Sequence, residues 1–242
     1  MLPINATLVI YLDDILLHSR TIDEHIPKLE ELFEILRRNQ LQIRADKTVL
    51  ATDEVIFCGY DIKNGIKSPS QQKVQAVREL KKPRNAKEAQ MIFGLLNYHR
   101  AFIPDFAKKA ASIPRTYGSK GRFVWTTEAD KAFEPLKHEI ATSAMQLQIP
   151  CMKTAKFVLE TDACDSGFAG TLFICNDVKP HPKHRAACLR PVEYMSGQFT
   201  EAQRRYYIQE KELFAGKEAM RKWAHFLLGR SFDWQIDNAC LK

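Results

Sequence analysis

The sequence predicts a mixed α/β chain in which two strand-rich regions flank a helical middle. Three observations carry this. Short apolar runs broken by turn residues fill 7–67. Apolar residues at helical spacing dominate 70–141. Short apolar runs return from 157, with one long amphipathic stretch among them. With 242 residues, 45% hydrophobic and 27% charged, the chain is long enough for one or two cored domains.

Taken in order, residues 7–18 (TLVIYLDDILLH) are two apolar runs interrupted by Asp13 and Asp14, the pattern of a β-hairpin with an acidic turn. Ile22, Ile26, Leu29, Leu32, Phe33 and Leu36 recur at helical spacing, so 22–38 is an amphipathic helix. Residues 40–67 alternate and contain Cys58-Gly59-Tyr60 and Asn64-Gly65, which reads as two or three short strands with a turn at Asn64-Gly65. From Ser70, the residues Val74, Val77 and Leu80 form one helical stripe ended by Pro83. A second helical stretch covers 86–106, with Met91, Phe93, Leu95 and Leu96 apolar. The Pro-, Gly- and Ser-containing stretch 112–121 reads as a linker, followed by a short strand at 123–125 and a helix at 128–141. FVLETDA (157–163), GTLFIC (170–175) and PVEYMSG (191–197) are three strands, and SFDWQID (231–237) a fourth. Between the third and fourth, 205–228 is a long helix with Leu213, Met220, Trp223 and Leu227 inward.

Several classes are excluded. No apolar run approaches about 18 residues, so no membrane span is expected. MLPINATLVIYLDD has no basic stretch before its apolar part and no cleavage-like site, so no signal peptide is expected either. Six cysteines (58, 151, 164, 175, 188, 240) are scattered without a Cys-x-x-Cys pair, which reads as reduced thiols in an intracellular chain. The net charge of +7 is unevenly placed: residues 66–115 hold 11 Lys/Arg against 3 Asp/Glu, whereas the remainder is nearly balanced. Charge alone leaves two readings of that segment, a solvated helix face or a contact with a phosphate backbone.

Three constellations carry chemistry. Adjacent carboxylates at a hairpin turn, Asp13 and Asp14, suit divalent metal ions beside a nucleotide triphosphate, or are a solvated turn. Asp162 ends a strand, Glu212 lies on the long helix and Asp237 ends a later strand. Three such acids are able to converge at strand ends beside one helix and hold two Mg²⁺ ions for phosphodiester cleavage, or are three unrelated surface acids. Cys175, His181, His184 and Cys188 are residue types that suit zinc.

Tyr11-Leu12-Asp13-Asp14 resembles the YxDD turn of reverse transcriptases. LDDILLHSRTIDEH (12–25), ADKTVLATDEVIFCGYDIKNGIKSP (45–69) and IFGLLNYHRAFIPDF (92–106) resemble successive landmarks of gypsy-type retrotransposon polymerases. FVWTTEADKAFEPLKHEI (123–140) is similar to the segment joining polymerase to ribonuclease H in that family. TDACDSGFAGTL (161–172), the stretch 190–229 and WQIDNACLK (234–242) resemble its ribonuclease H domain.

The resemblance implies a partial palm with the acidic hairpin (1–69), a basic helical thumb (70–115), a connection (116–151) and a ribonuclease H-like lobe (152–242). It makes Asp13 and Asp14 two of three polymerase carboxylates, and sets Gly59 and Tyr60 in the hairpin that grips the primer end. It makes Lys73, Arg78, Lys81, Lys82, Lys87 and Arg100 candidate contacts to an RNA–DNA hybrid or duplex. Asp162, Glu212 and Asp237 become ribonuclease H acids that bind Mg²⁺ or Mn²⁺ weakly, while Asp165 and Glu210 match non-catalytic positions. Asn238 stands where relatives often carry His. Zinc is not expected, because the family has only a variable loop at 175–188.

Relatives have a further polymerase Asp upstream and a fourth ribonuclease H Asp downstream. A chain cut at both ends is therefore expected to bind nucleic acid with weak or no catalysis. Two alternatives are a retained structural subunit and a residual metal-dependent ribonuclease H. A protein partner or self-association is expected to cover the open sheet edges.

Overall fold

The computed structural model of the chain describes residues 8–118, 123–142, 145–152, 154–175 and 188–236. They fall into two compact units, Met1–Asn64 and Gly65–Lys242.

In the first unit, β1 (Leu8–Tyr11) and β2 (Asp14–Leu17) pair antiparallel with Tyr11 opposite Asp14, so Leu12 and Asp13 make the whole turn. Leu12 sits in the left-handed region at φ 54°, a costly conformation for a bulky side chain. The ribbon lies on α1 (Ile22–Arg38), where Leu8, Ile10 and Leu17 meet Leu32 and Leu36. Thr21 caps α1 by accepting from the Glu24 N–H. Asp23 and Glu24 in the first turn, with Arg37 and Arg38 in the last, complement the helix dipole. A second hairpin joins β3 (Glu54–Phe57) to β4 (Tyr60–Lys63). Its turn residues Cys58 (φ 51°) and Gly59 (φ 78°) both have positive φ, as a type I′ turn requires. The expected Asn64-Gly65 turn has the same signature, at 51° and 72°.

In the second unit, β5 (Ile66–Pro69) pairs antiparallel with the short β6 (Leu147–Gln148). Between them run α2 (Gln71–Arg78), α3 (Ala86–Tyr98), α4 (Phe106–Lys109), α5 (Arg115–Gly118) and α6 (Thr127–Thr142). Val77, Ala89, Ile92, Leu96, Ile103 and Ile113 are buried here, as are Phe133, Leu136 and Ile140 of α6. Three expectations change in this region. The helix predicted over 86–106 stops at Tyr98; a 3₁₀ turn (Arg100–Phe102) follows, and Asp105 at φ 54° turns the chain into α4. The predicted linker is packed through Ile113 and Thr116 and contains α5. No strand forms at 123–125. Trp125 instead donates its indole N–H to Asp130 at 2.7 Å and packs edge-to-face on Phe133, so it closes onto α6 rather than joining a ladder.

The second half of this unit is a four-stranded sheet in the order β10-β7-β8-β9. Here β7 is Lys156–Ala163, β8 Gly167–Cys175, β9 Leu189–Gln198 and β10 Phe232–Gln235. β7, β8 and β9 are antiparallel, and β10 joins β7 in parallel. A short helix α7 (Glu201–Arg204) precedes the single helix predicted over 205–228, which is instead two, α8 (Ile208–Lys222) and α9 (Ala224–Leu227). α8 packs across β7 and β8, above a core of Phe157, Leu159, Leu172, Ile174, Val192 and Met195. Trp223 and Leu227 point inward as expected, and Met220 packs at the margin. Leu213 does not; it is 48% exposed. The buried face is instead made of Lys211, Glu212, Ala215, Gly216 and Ala219. Small residues are needed because a Cβ on Gly216 would stand 2.2 Å from the Trp234 ring of β10.

Candidate nucleic-acid interface and carboxylate sites

The basic segment opens the second unit, and its cations divide by what they touch. Arg78 donates to the Ala141 carbonyl at 2.6 Å, closing the C-terminal end of α6. Lys82 is ion-paired with Asp130, whose carboxyl this bond and the Trp125 N–H hold below its ordinary range. Lys73 lies over the Tyr98 ring, 5.2 Å from its centre. Arg100 reaches the Ser196 carbonyl of β9 at 3.4 Å. Lys81 and Lys87 project into solvent. A cleft of about 690 Å³ within this segment is lined by Phe93, Asn97, Arg100, Phe106 and Arg115, with Ser196 of β9.

The same segment is docked on β9. The Ala107 N–H donates to Ser196 Oγ at 2.8 Å, and Gln198 donates to the Ala107 carbonyl at 3.2 Å. A half-buried charge cluster adds to this. Glu193 takes the Trp223 indole N–H and the Lys222 ammonium, both at 2.9 Å, and Lys67 lies over the Phe102 ring. Burial pushes Lys67 and Lys222 below the usual lysine range, with Glu193 opposing. His99 is fully buried, with neither ring nitrogen hydrogen-bonded. Burial, with Lys73 adding, lowers it from 6.5 to about 4.

In the first unit, Asp13 and Asp14 are exposed at the hairpin tip. Gly59 is in the second hairpin's turn, and Tyr60 opens β4, half-buried. Burial raises the Cys58 thiol, and the Asp14 carboxylate raises it further.

In the sheet, Thr161 and Ala163 face α8, whereas Asp162 between them alternates to the other side and is exposed. Glu212 is 3% exposed on the sheet-facing side of α8, one turn before Ala215, which packs on Ala163. Both acids therefore belong to the same end of the sheet, but Asp162 emerges on the face of β7 away from α8 while Glu212 lies between α8 and the sheet. Asp237 lies outside the described residues. Among the described residues, no three His, Cys, Asp or Glu side chains stand together as a metal site. His181 and His184 are likewise outside the described residues, while the sulfurs of Cys175 and Cys188 are 3.0 Å apart.

Sequence reasoning missed two groups at this end of the sheet. The Lys211 side chain is only 5% exposed, and its ammonium meets Asp165 at 2.9 Å. The Cys164 thiol, in the β7–β8 turn, is held below its usual range by its bond to Ser166, with Lys108 contributing. The available signal was position: Lys211 shares a face with Ala215 and Ala219.

Known proteins resemble the chain in the same order. Residues 2–62 match the reverse transcriptase (RNA-dependent DNA polymerase) family, and 125–234 match the RNase H-like domain found in reverse transcriptase. The Tf2-3 and Tf2-4 transposon polyproteins of Schizosaccharomyces pombe are each 29% identical over 219 residues, covering 90% of this chain and 16% of the polyprotein. The chain thus corresponds to about a sixth of those relatives. A foamy viral protease-reverse transcriptase (dRH) in complex with double-stranded DNA has a TM-score of 0.78 at 23% identity, over 94% of this chain and 38% of that one. The foamy viral protease-reverse transcriptase in complex with RNA/DNA hybrid has a TM-score of 0.77 at 23% identity, over 97% and 31%. These two likenesses concern the fold. The acidic hairpin, the helical segment and the RNase H-like sheet follow one another in the order of these relatives: the chain carries a reverse transcriptase segment and an RNase H-like domain of the kind found in reverse transcriptases, and it is similar to gypsy-type retrotransposon polyproteins.

Proposed function

We propose that the chain is the part of a reverse transcriptase/ribonuclease H that holds RNA–DNA hybrid or duplex nucleic acid, with weak or no catalysis by these residues alone. The observation that carries this is the concentration of positive charge in 66–115, with Lys81 and Lys87 on the open surface. The foamy viral neighbours, caught on double-stranded DNA and on RNA/DNA hybrid, support the same reading. The test is binding to hybrid and duplex oligonucleotides over a salt series. Affinity should fall with a log–log slope of about −0.9 per neutralised phosphate. Lys81→Glu/Lys87→Glu should flatten that slope by about two contacts. An unchanged slope would remove the helical segment from the interface. Lys82→Glu serves as a fold control, because it breaks the Asp130 ion pair.

Asp162, Glu212 and Asp237 are proposed to bind Mg²⁺ or Mn²⁺ weakly, and so are Asp13 and Asp14; zinc is not part of this reading. A bound divalent ion would raise the melting temperature of the parent but not of Asp162→Asn. A melting point indifferent to Mn²⁺ in both proteins would sink the site. Primer extension is expected to be absent.

A second reading, a structural role in a larger intracellular assembly, is favoured by α1. Ile22, Ile26 and Phe33 are exposed along it, as are Leu41, Ile43 and Val49 beyond it, the kind of apolar surface that a protein neighbour covers. Sedimentation across a concentration series tests it: a monomer throughout speaks against self-association.

A further inference from the structure

The β8–β9 pair ends, opposite to its Gly167 end, in two thiols. Cys175 closes β8 across from Leu189, and Cys188 is the residue just before Leu189. Their sulfurs are 3.0 Å apart, and neither cysteine is in a disulfide. Cys175 is buried and Cys188 half-buried, so one of the two meets solvent. A disulfide bond is about 2.05 Å long. The paired strands already hold the two backbones at a fixed spacing, and the sulfurs have about 1 Å left to close. The site is remote from the candidate acids: Cys175 is opposite Lys156 at the start of β7, while Asp162 is near the end of that strand.

We propose that Cys175 and Cys188 form a redox modification site, which a peroxide converts into a reversible disulfide. The more accessible Cys188, as thiolate, attacks one peroxide oxygen. The O–O bond breaks, hydroxide leaves and is protonated to water, and Cys188 becomes a sulfenic acid. The Cys175 sulfur then attacks the Cys188 sulfur. The S–S bond forms and the S–O bond breaks. The departing hydroxide combines with the proton released by Cys175. Two thiols and one peroxide give one disulfide and two waters, with both electrons supplied by the sulfurs. A small thiol reverses the reaction by exchange. Disulfides of intracellular chains are mostly of this transient, sensing kind. The bond would link residues 175 and 188 covalently at the sheet's edge without moving β8 or β9.

The experiment uses the full chain, treated with hydrogen peroxide, quenched, alkylated, digested with trypsin and read by mass spectrometry. Trypsin cuts after Lys183 and Arg185 between the two cysteines, so a bridge joins two peptides. The expected result is a Cys175–Cys188 linked pair that disappears on reduction and is absent in Cys188→Ser. The oxidised parent should also melt several degrees higher than the reduced one, a difference that Cys188→Ser abolishes. Recovery of both cysteines singly alkylated, or singly over-oxidised, from a folded parent would overturn the proposal. So would one zinc per chain that shields both thiols from peroxide.

Discussion

The two carboxylate sets stand on opposite kinds of support. Asp13 and Asp14 tip a two-stranded ribbon whose buried backing, among the described residues, is Leu8 against Leu32 and Leu36, with a strained Leu12 beside them. Glu212 is locked between α8 and the sheet, where Gly216 lets the helix sit directly on Trp234, and the Trp234 indole N–H is bonded to Thr161 at 2.9 Å. A two-stranded ribbon is marginal by itself, and a catalytic carboxylate needs its position held to a fraction of an ångström. The difference teaches that an acidic motif read from sequence is only as useful as the packing behind it. The first set requires more chain around it, whereas the second has a rigid member already in place.

The sharpest way to break this contrast is to remove the bracing. Trp223→Ala should cost about 4 kcal/mol of second-unit stability, measured by chemical denaturation. It empties a fully buried site and leaves Glu193 without its indole donor. A loss below about 1 kcal/mol would mean that α8 is not held by this core.

Acid should weaken the same unit through His99. The folded ring stays neutral down to about pH 4, whereas the unfolded ring gains its proton near 6.5. Stability attributable to the neutral ring is therefore complete above about pH 6.5 and declines as pH falls toward 4, by at most about 3 kcal/mol. Unfolding free energies at pH 7.5 and 4.5 should differ less in His99→Leu than in the parent. Equal differences would exclude the buried ring as the cause.

Gly216→Ala should cost about 2 kcal/mol despite alanine's better helix propensity, because the new methyl meets a hydrogen-bonded indole. A stabilised variant would show that Trp234 yields easily. In the first unit, by contrast, Ile26→Ser should change stability by no more than about 0.5 kcal/mol, since Ile26 is half exposed. A larger loss in dilute solution would reveal that something covers α1.

Much of this was legible beforehand. The Asp13–Asp14 hairpin, α1, the Asn64-Gly65 turn and the strands around 157–163 and 191–197 follow from alternation, helical spacing and turn chemistry. What escaped depends on neighbours far away in sequence. Leu213 belongs to no buried face because α8 meets a tryptophan so closely that only small residues fit there. Ile22 and Ile26 obey helical spacing yet stay half exposed. Arg78 and Lys82 read as free cations, yet each is held by a group about 50 or more residues away, Ala141 and Asp130. Residue type gave the candidate acids, but the side of β7 on which Asp162 emerges came only from the register.

Strand β9 lays ten residues against nine in β8, because Val192 has no partner: Leu172 faces Glu193 and Phe173 faces Pro191. Two consecutive residues thereby both serve the core: Val192 is buried in the cluster that holds Trp223, and Glu193 accepts the Trp223 indole N–H. This makes 192 the one place in the strand where the gene can lose a codon harmlessly to the frame of inside and outside. A deletion there leaves Gly167 opposite Gln198 and Cys175 opposite Leu189, and sacrifices a single core valine. A deletion between 194 and 197 would exchange buried for exposed side chains along the rest of the strand.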